Sequence, residues 1–299
     1  MKTYRVTVPA TSANIGCGFD SFGVALSLSN TVIFHEDSSL DIELETQDDR
    51  IPLDESNMIY SSALYTAEKF SRSLPPVHLF QQDHIPFSSG MGSSAACIVA
   101  GILIADTLLD LGLSDEQKLE IATELEGHPD NVSPAIFGGF CITINSDSGL
   151  RVTRIPVKDD LKLVICHPHQ TISTEEARKV LPSSYDRNDV VSNIARGALL
   201  IHSLHSGDYS VLKDSLADRI HQPFRKKLIT DYEVIERSSY EAGALGVCIS
   251  GAGPSVLIFS NEDHLQAILS ALGKADSAIG FDVYTLSVDN HGATVSEMP

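Results

Sequence analysis

Residues 85–96 read Ile-Pro-Phe-Ser-Ser-Gly-Met-Gly-Ser-Ser-Ala-Ala and run without a break into the apolar stretch 97–109. The helix this predicts, over 94–110, is apolar nearly all round, which marks it as central to its domain. The segment before it bends sharply: small residues fill it, and Ser88, Ser89, Ser93 and Ser94 surround Gly90 and Gly92. A loop that empties into a helix N-terminus presents unpaired N–H groups and a partial positive charge, which suits a phosphate chain. The glycines let backbone approach an anion, and the serine hydroxyls can donate to oxygens or ligate Mg²⁺. No Lys ends the loop, so it is not a Walker A sequence. A plain turn before a buried helix would use the same letters.

The chain has 299 residues, enough for two ordinary domains or one large one. Its net charge of −19 excludes nonspecific nucleic-acid binding, which needs basic surface, so no nucleic-acid partner is expected. An anionic nucleotide entering so acidic a protein needs local positive potential from amides, arginines and a metal. The five cysteines (Cys17, Cys97, Cys141, Cys166, Cys248) are widely spaced, odd in number and mostly in apolar runs. They read as buried free thiols in a reducing compartment. No signal-like hydrophobic region opens the chain and no apolar run is long enough to span a bilayer, so a cytoplasmic protein without a membrane partner is expected.

The first half reads as strand 4–8, a Gly-rich turn at 16–23, strands near 24–34 and 40–45, helix 57–71 and strand 77–81. Ser114-Asp115-Glu116-Gln117 forms a capping box that starts a helix running to 126. Gly138-Gly139 then breaks into a strand at 140–144. The polar stretch 145–154 reads as a boundary, dividing the chain into 1–154 and 155–299. Beyond it come strand 161–166, helices 174–181, 188–205, 208–217 and 229–242, strands 246–250 and 255–260, helix 263–273 and strand 281–287. That order suggests a split βαβ sheet of the ferredoxin-like kind, and an α+β protein overall.

Four clusters could carry chemistry. In residues 9–23, Asn14 and Asp20 flank a Gly-x-Gly on a tight loop, where an amide and a carboxylate can hold a small amine or hydroxyl or simply bond their own backbone. Gly16-Cys17-Gly18 lacks the third glycine of a dinucleotide fingerprint. The second cluster is the Gly/Ser loop. In residues 124–134, a carboxylate beside a serine can ligate Mg²⁺, although Asp130 or Asn131 also fits a helix N-cap and a lone His128 a structural role. Residues 246–255 alone read as a turn between two buried strands.

Taken together, Pro-x-x-Ser-x-Asn-x-Gly-x-Gly-x-Asp from Pro9, Gly-Met-Gly-Ser-Ser-Ala-Ala from Gly90 and Ser-Gly-Ala-Gly-Pro-Ser from Ser250 form the three-motif pattern of the GHMP small-molecule kinases. Within them the chain resembles the homoserine kinases, through residues 14–23, 126–132 and His221-Gln222-Pro223-Phe224-Arg225. The resemblance covers essentially the whole chain; Met91 stands where Leu is usual, a volume-conserving change. It implies an N-terminal domain like ribosomal protein S5 domain 2, carrying the nucleotide loop, and a ferredoxin-like C-terminal domain. It also implies transfer of the ATP γ-phosphate to L-homoserine for threonine synthesis, and a possible homodimer.

On that resemblance Pro86, Phe87, Ser88, Ser89, Gly90, Met91, Gly92, Ser93 and Ser94 wrap the triphosphate, followed by Ala95 and Ala96, with Asn57 near the nucleotide. Ser94 and Glu126 are the implied Mg²⁺ ligands. Asp20 fits the substrate ammonium, and Arg178 and Arg225 its carboxylate, because guanidinium binds carboxylate bidentately. Asn14, His128 and Thr174 fix the remaining polar atoms, and Gly251 lets backbone close over the substrate. The related mevalonate-type kinases carry an Asp where Asn131 stands, and an amide cannot take a proton at neutral pH. Catalysis by positioning and charge stabilisation is therefore expected, with Asp130 the residue to suspect if a base exists. The competing expectations are a GHMP kinase for another alcohol (mevalonate, a sugar, shikimate) and a nucleotide-binding sensor without turnover on the same fold.

Overall fold

The computed structural model describes residues 2–147 and 149–299. The chain begins with β1 (Tyr4–Ala13), β2 (Phe22–Glu36), β3 (Asp41–Leu44), α1 (Met58–Lys69) and β4 (Val77–Gln82). There follow α2 (Ser93–Leu109), α3 (Asp115–Glu126), α4 (Pro129–Phe137) and the hairpin β5 (Phe140–Ser146) and β6 (Gly149–Ile155). The second half holds β7 (Lys162–Pro168), α5 (Thr174–Lys179), α6 (Arg187–Ser206), α7 (Leu212–Ser215), α8 (Gln222–Arg225) and α9 (Tyr232–Glu241). It ends with β8 (Gly246–Ile249), β9 (Val256–Ser260), α10 (Glu262–Leu272), β10 (Phe281–Leu286) and β11 (Thr294–Glu297).

The first sheet runs β11-β1-β2-β4-β3, with β5 on β2 and β6 on β5. A register shift between Pro9 and Ala10 interrupts the β1–β2 ladder. This is the irregularity that lets a central strand contain a proline, which has no N–H to give. As expected, α2 is buried nearly all round, from Ala95 at 0 % to Leu109 at 8 % exposed. It packs on β1 and β2 and against α1, α3 and α4.

The second sheet runs β10-β7-β9-β8, all antiparallel. Within that half the spatial order is fourth, first, third, second, which is the split βαβ arrangement. Alternate residues of β7 enter different cores: Leu163 and Ile165 join the core of the first sheet, while Val164 and Cys166 join Ile235, Ile249 and Ile268 on the other face. A strand buried on both faces explains why Leu163 to Cys166 is an unbroken apolar run.

The structure differs from expectation in four places. Strand β1 runs to Ala13 rather than ending at residue 8. Of the polar boundary 145–154, residues 145–146 end β5 and 149–154 lie in β6, which pairs with β5 and ends at 155. The helix expected over 208–217 is only α7 after a short 3₁₀ turn, and α8 was not foreseen. The tail of 155–299 returns to the first sheet, since β11 pairs with β1 and Val288 bridges Leu26. The sequence division therefore cuts across this sheet. All five cysteines are free thiols. No helix among the described residues is long and apolar enough to cross a membrane.

Candidate active site

The three motifs meet at one point. Thr11 N donates to Met91 O at 3.0 Å, Ser255 N to Ser89 O at 3.2 Å and Gly251 N to Ala13 O at 3.0 Å. Ser250 Oγ lies 2.7 Å from the Gly90 carbonyl, to which it donates, and 2.8 Å from Ser12 Oγ. Packing this close leaves no room for side chains. A Cβ on Gly90 (φ +78°) would stand 2.4 Å from Ser250 O, and one on Gly92 (φ +70°) 2.0 Å from Thr11 Oγ1.

Gly92 is also the N-cap of α2 and supplies no capping side chain. The first-turn amides of α2 therefore have no side-chain acceptor from their cap, and buried Ser93 Oγ has no partner. These donors open on a cleft of about 520 Å³ between the two halves of the molecule. From the expected nucleotide loop, Phe87, Ser88, Ser89, Gly90, Gly92, Ser93 and Ser94 line it. Pro86 lies instead on an adjoining groove that shares Phe87. Met91, Ala95 and Ala96 do not face the cleft. Their side chains are core at 0 %, 0 % and 1 % exposed, and Met91 spends its N–H on Ser89 Oγ and its carbonyl on Thr11.

Asn57 borders the cleft, but its side chain is committed. It caps α1 through Ile59 N and Tyr60 N and donates to Pro52 O. Glu126, His128, Asn131, Thr174 and Gly251 also line the cleft. Ser94 Oγ donates to Glu126 Oε2 at 2.6 Å. Burial raises the Glu126 pKa above the ordinary carboxylate value, and the Ser94 hydrogen bond only partly opposes this. A carboxylate and a hydroxyl side by side, both hard oxygen donors beside a helix N-terminus suited to phosphate, fit Mg²⁺.

His128 Nδ1 lies 2.6 Å from Asp130 Oδ1. Burial works against the imidazolium, yet the hydrogen bond and charge of Asp130, aided by Glu126, outweigh it and raise the His128 pKa. Asp130 is 0 % exposed, so it buttresses His128 from behind. Asn131 Oδ1 accepts from Thr11 Oγ1 at 2.9 Å, which fixes the amide's orientation.

A second group sits beside the cleft. Asn14 and Asp20 both adopt positive φ, at 60° and 54°. Asn14 Oδ1 accepts from Asp20 N at 2.9 Å while its Nδ2 donates to Gly251 O at 3.1 Å. Arg178 clasps Asp20 in a two-bonded fork of 2.8 and 3.0 Å. The two residues expected to hold opposite ends of a substrate thus hold each other here. Arg225 is 1 % exposed and donates from Nε to Ala177 O and from Nη1 to Gly251 O. Burial, then the charge of Arg178, lowers its pKa to about 10. No carboxylate lies within ion-pair distance of it among the described residues.

Several contributors escaped the sequence reading. Phe19 lies against both arginines, Arg50 covers the Phe87 ring, and Gln81 of β4 and Asp83 just beyond it complete the cleft wall. Buried Gln81 Nε2 has no partner among the described residues. Arg50, Gln81 and Asp83 come from segments without a motif and Phe19 from an unspecified position of the first one, so only tertiary packing brings them to the site. The rest of the His221–Arg225 motif is structural. His221 Nε2 reaches the carbonyls of Gly16 and Asn14, and Gln222 ties Leu216 to Ile249.

Comparison with known proteins bears on this arrangement directly. Residues 57–139 match the GHMP kinases N terminal domain and residues 200–278 the GHMP kinases C terminal domain. A homoserine kinase from Crocosphaera subtropica is 37 % identical, covering 99 % of this chain and 98 % of that protein. One from Aquifex aeolicus is 36 % identical over 97 % and 99 %. Among solved structures, homoserine kinase from Cytophaga hutchinsonii superimposes with a TM-score of 0.87 at 32 % identity, over 98 % of this chain and 97 % of that one. A mevalonate kinase from L. major, 17 % identical with a TM-score of 0.72, shares the fold alone. Motifs, topology and full-length identity agree, and the chain belongs to the homoserine kinase family of the GHMP kinases.

Proposed function

We propose that this protein transfers the γ-phosphoryl group of ATP to the hydroxyl of L-homoserine, giving O-phospho-L-homoserine and ADP. One observation carries the reading. Beside a phosphate cradle stand an Asp20–Arg178 fork and a buried Arg225 with no carboxylate within ion-pair distance among the described residues. Burying an unpaired cation is costly, so a ligand carboxylate that joins it is favoured. A zwitterion is the ligand that can open the fork and leave every charge paired, its ammonium on Asp20 and its carboxylate on the arginines. The resemblance assigns Asn14, His128, Thr174 and Gly251 to the remaining polar atoms, and three of these four border the cleft.

The triphosphate would take amides and hydroxyls of Ser88, Gly90, Gly92, Ser93 and Ser94. Ser94 and Glu126 would hold Mg²⁺, whose contribution when bound is to neutralise charge on the phosphate oxygens. Asn131 is an amide whose oxygen is already engaged, and Asp130 is sealed behind His128. Neither is placed to take the hydroxyl proton. The hydroxyl oxygen therefore attacks phosphorus as the bond to the β-phosphate oxygen breaks, and its proton passes late to a phosphoryl oxygen. A loose transition state makes little demand on a base. The expected homodimer belongs to this proposal on the family resemblance alone, and the expected cytoplasmic location on the pattern of unpaired cysteines in the sequence.

The test is ADP release with Mg-ATP across L-homoserine, mevalonate, galactose, shikimate and L-threonine. Turnover on L-homoserine alone, lost in Asp20→Ala, is the expected result. Turnover on another alcohol would overturn the roles of Asp20, Arg178 and Arg225 while keeping the nucleotide site.

A further inference from the structure

Phe19 lies one residue before Asp20 on the tight loop that follows β1 and is half-buried. The guanidinium carbon of Arg225 stands 5.0 Å from its ring centroid and that of Arg178 5.5 Å. Its ring also stacks on His221, with centroids 5.4 Å apart and planes 28° from parallel. His221 is fully buried and anchored on the loop carbonyls of Gly16 and Asn14, so it is a fixed support. The arginines come from different helices, α5 and α8, and bear like charges. The charges of Asp20 and Asp130 act on both and offset part of their repulsion. An aromatic face adds to this, because its quadrupole attracts each guanidinium.

We propose that Phe19 is a positioning residue that sets selectivity for a carboxylate-bearing amino alcohol, its ring holding the Arg178 and Arg225 guanidiniums where one carboxylate meets both. The inference rests on the reading of these arginines given under Proposed function. Phe19 acts through them and takes no part in phosphoryl transfer. An aliphatic residue of similar volume would fill the space without the negative face.

The experiment compares kcat/KM for L-homoserine with that for 3-aminopropan-1-ol, which keeps the hydroxyl and ammonium but lacks the carboxylate. Phe19→Leu is expected to shrink the ratio by about ten-fold, through KM for L-homoserine, with KM for ATP within about two-fold. Phe19→Tyr keeps the wild-type ratio. Fluorinated phenylalanines at position 19 retain the ring's shape while draining its negative face. The ratio is expected to fall with each added fluorine, and this series serves if Phe19→Leu does not fold. A flat fluorine series, or a Phe19→Leu enzyme that loses both substrates equally, overturns the proposal. If Arg178→Ala collapses the ratio and Phe19→Leu does not, only this inference fails. If Arg178→Ala and Arg225→Lys both preserve the ratio, the carboxylate reading fails and the role of Phe19 with it.

Discussion

Glu126 is a carboxylate in a place that does not favour one, since burial raises its pKa and a single short hydrogen bond from Ser94 holds it. Such a group is stabilised when a cation joins it. Glu126→Gln keeps the shape and removes the charge, so kcat should fall about 10²-fold or more while KM for L-homoserine stays within a few-fold. Calorimetric titration of ATP checks the cause: Mg²⁺ should tighten binding to the wild type and leave the variant unchanged. Asn131→Ala should cost less than about 10²-fold in kcat, because an amide held by Thr11 positions and does not accept a proton. A larger loss in a folded variant would give Asn131 a direct chemical role. At this scale the motif residues were legible because Gly, Ser and Asn at fixed spacing have few other uses. Arg50 and Gln81 were not, because both lie outside the three motifs, nor was Phe19, which fills an unspecified position of the first; each becomes part of the site only through tertiary packing.

Among the elements, those with a strong apolar period or a side-chain cap were read correctly. The capping box at Ser114 opens α3, and Asn57 caps α1. The hairpin strand β6 and the final β11 were missed because both are edge strands with little to bury: β11 is exposed along its whole length. Their alternation carries no hydrophobic signal to read. The second half also depends on an element contact that no periodicity reveals. Asp231, at the start of α9, accepts from Ser277 Oγ at 2.6 Å and from Ala278 N at 2.9 Å, pinning the helix to the turn before β10. Burial alone would raise this carboxyl, but these hydrogen bonds, with one from Ile279 N, hold its pKa below the ordinary 3.8. A depressed pKa means a stabilisation present above the unfolded value and lost as pH falls through the folded one. Asp231→Asn should therefore cost about 1–3 kcal/mol near pH 7, by urea titration. The gap from wild type should close in acid; a gap that persisted below the folded pKa would show that shape, not charge, is what the site requires.

The whole molecule sets a problem that its parts solve locally. A chain of net charge −19 must admit a polyanionic nucleotide. Local positive potential comes from the N-terminus of α2, whose cap supplies no side-chain acceptor, and from Arg178 and Arg225 beside the cleft. That attraction is short-ranged, whereas the repulsion from the acidic surface reaches as far as the Debye length allows. At ~0.01 M ionic strength this length is roughly 30 Å, comparable to the molecule, and at ~0.15 M it is about 8 Å. Salt should therefore help ATP more than it hinders it. Raising ionic strength across this range with an inert salt should increase kcat/KM for Mg-ATP by about two- to five-fold. The value for L-homoserine, which has no net charge, should change little. A fall for ATP would mean that the local cationic end of the cleft, and not the protein's overall charge, governs nucleotide capture. Replacing distant surface carboxylates by amides, away from the cleft, separates the two: fewer such charges should flatten the salt dependence and leave kcat unchanged.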